Sequence, residues 1–210
     1  MDMQRIESRR VSALFRGWRR LMVASMACTL SIAIQLCATS VAGAHLVRLG
    51  PCDASVLSQP FVAWGDPFSY VLAPKGDFES AGWTLGRAAN IVPGSEPFAA
   101  TGKLGAVALS LPAGGSALSP STCVDAGYST IRMFIAGSGI VRVDVVAHGL
   151  AVPAGVAVAA GGWQPTPVMV TDAAVVATQA GGTASVSLLL TGVSGSPRVD
   201  DVFIDPWNRG

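Results

Sequence analysis

From residue 61 onward, glycine, proline, serine and aspartate cut the chain into apolar runs too short for helices. That punctuation constrains the fold more than any other feature of the sequence. A half-buried strand alternates every second residue, whereas an amphipathic helix repeats every three to four. In Ile140-Val141-Arg142-Val143-Asp144-Val145-Val146-Ala147-His148, residues Arg142, Asp144 and Val146 fall on one face. Val141, Val143, Val145 and Ala147 fall on the other. Further strands are predicted at 70–73, 87–92, 106–111, 130–135, 168–170, 174–177, 183–190 and 199–204. Turn chemistry separates them at Pro112-Ala113-Gly114-Gly115, Gly137-Ser138-Gly139, Gly161-Gly162 and Gly181-Gly182. The Ala-, Gly- and Val-rich stretch 151–182 reads as a long loop or a weak strand pair. About nine strands without a helical period predict an all-β sandwich.

The first 44 residues stand apart from this pattern. Arg5, Arg9, Arg10, Arg16, Arg19 and Arg20 precede an apolar run from Leu21 to about Cys37, and Ala42-Gly43-Ala44 follows. This is the layout of a secretory signal peptide cleaved after Ala44, with no membrane span left after cleavage. The domain reading is therefore a signal peptide at 1–44, an N-terminal extension and first strand at 45–72, and the sandwich at 73–210. Cleavage removes six of the 14 basic and two of the 13 acidic residues, leaving a net charge of −3. Nucleic acid is excluded as a partner, because its recognition needs clustered Lys and Arg. Cys52 and Cys123 remain after cleavage, and in an oxidising compartment they are expected to pair. Such a bond contributes about 4 kcal/mol by the loop-entropy model. Two free buried thiols are the alternative.

Catalytic chemistry finds little support in the residues. His148 ends a strand beside Gly149, no Gly-x-Ser-x-Gly elbow occurs, and Ser138 lies in a glycine turn pattern. Glu79 with Asp201 is the carboxylate pair available for glycoside hydrolysis, which would have to flank a sugar-sized cleft. The chain reads as noncatalytic.

Two acid-bearing stretches carry a family resemblance. Gly76-Asp77-Phe78-Glu79, followed by Gly82-Trp83, and the closing Val199-Asp200-Asp201-Val202 resemble the two ends of galactose-binding-like domains. The same pattern is similar to that of carbohydrate-binding modules with a jelly-roll β-sandwich, as found in secreted bacterial proteins. Ser110-Leu111-Pro112 and Gly162-Trp163-Gln164-Pro165 sit where such modules place comparable elements. The resemblance implies a structural Ca²⁺ between the first and last strands, held by Glu79 and by Asp200 or Asp201 with backbone carbonyls. Oxygen-rich ligation of that kind suits the ion. Period-two alternation sends Asp200, Val202 and Ile204 one way and Asp201, Phe203 and Asp205 the other. The three acids are then not expected to share one ion. In the alternative without metal, Asp205 caps the final turn and one aspartate bonds loop amides.

The resemblance also implies a carbohydrate partner, whose pyranose rings would stack on aromatic faces beside a few fixed polar groups. Trp163, Arg132, Arg142 and Asp144 are the candidate ligand-binding residues, with Trp83 assigned to the core and Trp163 to either a loop platform or the core edge. The leading reading is a secreted, noncatalytic sugar-binding domain. The other is an exported structural or protein-interaction domain of the cell envelope without a sugar site.

Overall fold

The computed structural model describes residues 56–125, 130–171 and 183–205. The expected signal peptide, Cys52, the strand expected at 174–177 and Trp207 lie outside the described residues. Among the described residues twelve strands form: β1 (Leu57–Ser58), β2 (Tyr70–Leu72), β3 (Thr84–Gly86), β4 (Asn90–Pro93), β5 (Val107–Ser110), β6 (Ser116–Leu118), β7 (Thr122–Asp125), β8 (Thr130–Ala147), β9 (Leu150–Pro165), β10 (Met169–Val170), β11 (Thr183–Gly195) and β12 (Arg198–Asp205). A single 3₁₀ turn at Val62–Trp64 is the only helical element among the described residues. None of them forms a helix long and apolar enough to cross a membrane.

The predicted strands at 130–135 and 140–148 are one. β8 runs for 18 residues straight through Gly137-Ser138-Gly139, which is a bend and not the hairpin turn the sequence suggested. The bend is built from glycines on three neighbouring strands: Gly137 pairs with Gly161 of β9, and Gly139 with Gly195 of β11. All four have positive φ, between 65° and 143°, a conformation open to glycine at little cost. Close approach adds to the requirement, since a Cβ on Gly139 would lie 2.1 Å from the Ser194 carbonyl oxygen.

Folding the ribbon here doubles it over. Ile131, Met133 and Ile135 before the bend and Val141, Val143 and Val145 after it belong to the same core. Ile131 and Val145, from opposite ends of β8, line one small void together with Val186 and Ile204. One layer holds β1, β2, β12, the first half of β8 and β10, with β5 and β4 alongside β12. The other holds β9, the second half of β8, β11, β6 and β3, with β7 also on β11. Every pairing is antiparallel. The result is the all-β, jelly-roll type of sandwich expected from the sequence. The actual hairpin turn lies at His148 and Gly149, whose φ values of 52° and 78° suit a two-residue turn between twisted strands. Of the stretch read as a loop or weak strand pair, residues 151–165 belong to the 16-residue β9.

A second apolar cluster lies apart from the main core. Phe61, Tyr70, Phe134 and Phe203 are each at most 1% exposed, and Phe61 stacks on Phe134 at 5.3 Å. Period two explains it: Val202 and Ile204 join the main core while Phe203 points to the opposite face. The stretch before residue 73 supplies Phe61 and Tyr70, so it covers that face.

Gly139→Ala is expected to destabilise the protein by about 2–3 kcal/mol through strained backbone and clash. The thermal midpoint should fall by roughly 5–10 °C. Gly162→Ala, where an added Cβ meets nothing within 4 Å, should be close to neutral in the same melts.

Candidate functional site

The site begins with a register fault in β12. Asp200 is opposite Phe134 of β8 and Phe203 is opposite Arg132, so β12 holds one residue more than its partner. This is a β-bulge, and Asp201 at φ 46° carries it. The bulge docks on the turn after β2: Ala73 N–H donates to Val202 O at 2.8 Å, and Val202 N–H donates to Gly76 O at 3.0 Å. Strict alternation would have separated the two aspartates. The extra residue instead leaves both buried, Asp200 at 0% and Asp201 at 4% exposure.

Glu96, 1% exposed, joins them and was missed in the sequence. Asp200 Oδ2 accepts the Ser95 hydroxyl at 2.6 Å and the Glu96 N–H at 2.9 Å, while Oδ1 accepts Asp201 N–H at 2.9 Å. Glu96 in turn accepts the N–H groups of Phe98 and, at 2.9 Å, Ala100. Two carboxylates thus fold the loop 95–100 around themselves. The signal for Glu96 was a lone acid before Pro97 in an apolar stretch, which by itself reads as a solvated loop residue.

Burial raises the Asp200 carboxyl to about 6, against the hydrogen bonds from Ser95, Glu96 and Asp201. Asp201 is pushed up to about 8, first by burial and then by the charge of Asp200, with Glu96 and Asp77 adding to it. Neither ion pair among the described residues, Arg132–Asp66 or Arg142–Asp144, involves the cluster. The raised Asp201 carboxyl favours a retained proton, which lowers the charge of the cluster.

Of the expected metal set, Asp200 and Asp201 are buried together while Glu79 bonds backbone amides. Glu79 Oε1 accepts the amides of Ala106 at 2.6 Å and Val107 at 3.1 Å and so pins the start of β5. It stays beside Ser95: a Cβ on Gly105 would lie 2.7 Å from Glu79 Oε1 and 2.6 Å from Ser95 Oγ. Among the described residues no three His, Cys, Asp or Glu side chains form a ready metal cage. Asp201, the other half of the hydrolytic pair considered above, is buried. Cys123 on β7 is disulfide-bonded, and Cys52 lies outside the described residues.

The four residues expected to meet a ligand do not converge. Arg132 is buried, donating to Asp66 at 2.5 Å and through Nε and Nη2 to Thr166 O, with its guanidinium 4.3 Å from the Phe61 ring centroid. Burial works to raise the Asp66 carboxyl, but hydrogen bonds from Tyr70, Arg132 and Phe68 hold it below its usual value. Arg142 and Asp144 pair at 2.8 Å beyond the bend. Trp163 is partly buried against the aromatic cluster, with Arg198 over its ring at 5.3 Å. Trp83 packs partly buried against the main core and donates Nε1–H to Pro74 O at 3.1 Å.

Exposed aromatics gather elsewhere. Trp64 is 39% and Phe98 42% exposed, edge to face at 4.8 Å, and each lies 5.4 Å from the buried Phe134 ring. They line an open groove of about 620 Å³ with Gln59, Pro60, Val62 and Ala100. Phe98 reaches this place because its own N–H is held by Glu96.

No protein-family model and no curated protein matches the sequence. Solved structures similar to it include carbohydrate-binding modules. A family 6 module, studied by binding sub-site dissection, is 9% identical at a TM-score of 0.42, covering 66% of this chain and 94% of its own. The family 6 module CsCBM6-3 from Clostridium stercorarium, in complex with cellobiose, is 15% identical at 0.41, covering 66% and 93%. TmCBM61, in complex with β-1,4-galactotriose, is 15% identical at 0.40, covering 62% and 94%.

Stability should depend on pH in the direction the raised carboxyls dictate. Below about pH 4 both folded and unfolded chains hold these protons, and no penalty arises. As pH rises toward 8, the unfolded chain releases protons that folded Asp200 and Asp201 retain, so stability is lost. In chelator, the melting midpoint should fall from pH 5 to 8 and level off above, and Asp201→Asn should flatten the slope. A midpoint rising over that range in the unaltered protein would contradict this.

Proposed function

We propose that this is an exported, noncatalytic binding domain whose groove at Trp64 and Phe98 takes carbohydrate. The observation that carries the reading is the exposed aromatic pair, held rigid from below by Phe134 and from behind by the Glu96 carboxylate. Aromatic faces fixed before binding meet the C–H faces of a sugar ring with little entropy left to lose. Gln59 donates its amide nitrogen to Pro67 O at 2.7 Å and keeps its side-chain oxygen as an acceptor for a hydroxyl. The remaining wall is small and apolar, which suits a shallow site for one or two rings.

Glu96, Asp200 and Asp201 do not form a ready cage as they stand, so under this reading a structural Ca²⁺ would bind only with a turn of these carboxylates toward it and with backbone carbonyls completing its shell. The donor set is all oxygen, as the ion prefers, and each carboxylate has more lone-pair sites than the amides occupy. The cation would neutralise the cluster where a retained proton otherwise lowers its charge. Its role is to fix the loop 95–100 against β12, so Ca²⁺ restored after chelation should raise the melting midpoint at pH 8 and have little effect at pH 5.

A second reading, an interaction domain of the cell envelope, is favoured by the valines exposed on the outer face of β9 and β11, Val156, Val158 and Val193. Calorimetric titration against soluble oligosaccharides and polysaccharides separates the two. Trp64→Ala or Phe98→Ala should weaken sugar binding about tenfold or more, a loss of ~1.4 kcal/mol. Arg142→Ala should leave it unchanged. No binding by the unaltered protein to any glycan would sink the first reading and leave the second.

A further inference from the structure

The groove at Trp64 and Phe98 is sparing in polar groups, and the few it keeps form a pattern. None of the eight residues that line it is charged, and Pro60, Val62, Ala63, Ala99 and Ala100 bring no polar side-chain atom. Much of its backbone is engaged within the protein: Val62 N–H donates to Gln59 O at 3.4 Å, Gly65 N–H to Val62 O at 3.0 Å and Gly102 N–H to Ala99 O at 2.8 Å. The Ala100 N–H is taken by Glu96. Two side-chain groups remain. Gln59 gives its amide nitrogen to Pro67 O, a carbonyl that can only accept, so the atom left over is the side-chain oxygen. Trp64 carries an indole N–H, a donor only, which meets no hydrogen-bond acceptor among the described residues.

One acceptor, one donor and a small apolar wall are the complement of a secondary amide that ends in a methyl group. We propose that the groove selects glycans whose sugars carry an acetamido substituent, its N–H donated to Gln59 Oε1, its carbonyl oxygen accepting from Trp64 Nε1 and its methyl group set against the apolar wall. This rests on the carbohydrate reading above and narrows it to a substrate class.

Plain and acidic sugars suit the groove less well. A plain pyranose brings a hydroxyl on most ring carbons, and each one that enters without a partner gives up its hydrogen bonds to water uncompensated. An acetamido group replaces one such hydroxyl by an amide whose two polar atoms both find partners, and its methyl group gains by leaving water. An acidic sugar would find no cation in the lining, and the Glu96 carboxylate lies directly behind Phe98 and Ala100.

Tri-N-acetylchitotriose and cellotriose share a β-1,4-linked backbone of glucose configuration and differ in one substituent per ring, acetamido against hydroxyl. Calorimetric titration of the protein with each is the test. The acetylated triose should bind at least about tenfold more tightly, because a site built around an amide leaves its own polar groups unpaired when the amide is missing. Trp64→Phe keeps an aromatic ring and removes the indole N–H, and it should shrink that ratio by about threefold or more. Gln59→Leu should shrink it as well; since it also gives up the bond to Pro67, Trp64→Phe is the cleaner of the two. An unacetylated glycan bound as tightly as the acetylated triose, or a preference untouched by Trp64→Phe, would overturn the inference and leave the carbohydrate reading standing. Failure of every glycan would sink both. N-acetyl-trialanine amide bound as tightly as the acetylated triose would assign the amide pattern to a peptide and overturn the inference too.

Discussion

The bulge at Asp200 and Asp201 is the constraint on which the closing strand and the aromatic groove both depend. One extra residue in β12 brings two carboxylates into the interior, where neither would remain without partners. Their environment supplies donors from two directions: Ser95 and Glu96 N–H from the loop, and Asp201 N–H from the bulge itself. Glu96 extends the same arrangement by one layer, holding Phe98 and Ala100. The groove is therefore shaped from inside, by buried charge, while its exposed wall is aromatic and small.

The glycine line at Gly137, Gly139, Gly161 and Gly195 does the other structural work. It folds a ribbon of three strands so that one strand contributes to both layers, and the core forms between the halves of β8. This arrangement leaves β12 in the middle of one layer, paired on one side with β8 and on the other with β5 and β2, except at the bulge. Among the described residues it also leaves β9 at an edge, and Pro153 is tolerated there beside a bulge in the β8–β9 pairing.

Alternation was legible in the sequence, and it predicted the all-β class, the core face of 140–147 and the closing strand. What it could not show was where alternation is interrupted. Gly137-Ser138-Gly139 has the composition of a turn, and only cross-strand pairing with Gly161 and Gly195 makes it a bend in a continuous strand. The acids at 200 and 201 were placed on opposite faces because a bulge has no composition of its own unless glycine marks it. Short strands such as 116–118 and 84–86 were missed because three residues carry no readable period.

For the candidate site, polar residue type was a poor guide to exposure. Arg132 looked available for a ligand and is instead enclosed by Asp66, Thr166 and the Phe61 ring, partners distant in sequence. Trp64 and Phe98 had no motif around them, since their proximity comes from a 3₁₀ turn and a loop that meet only in the fold.

Native-state amide exchange on Glu96→Ala would test most directly whether buried carboxylates hold the groove in shape. Protection at Phe98 and Ala100 should be lost while that of β8 and β11 persists, because local opening of the loop then costs less than global unfolding. Unchanged protection at Phe98 and Ala100, with the core intact, would contradict the claim that Glu96 fixes the aromatic wall.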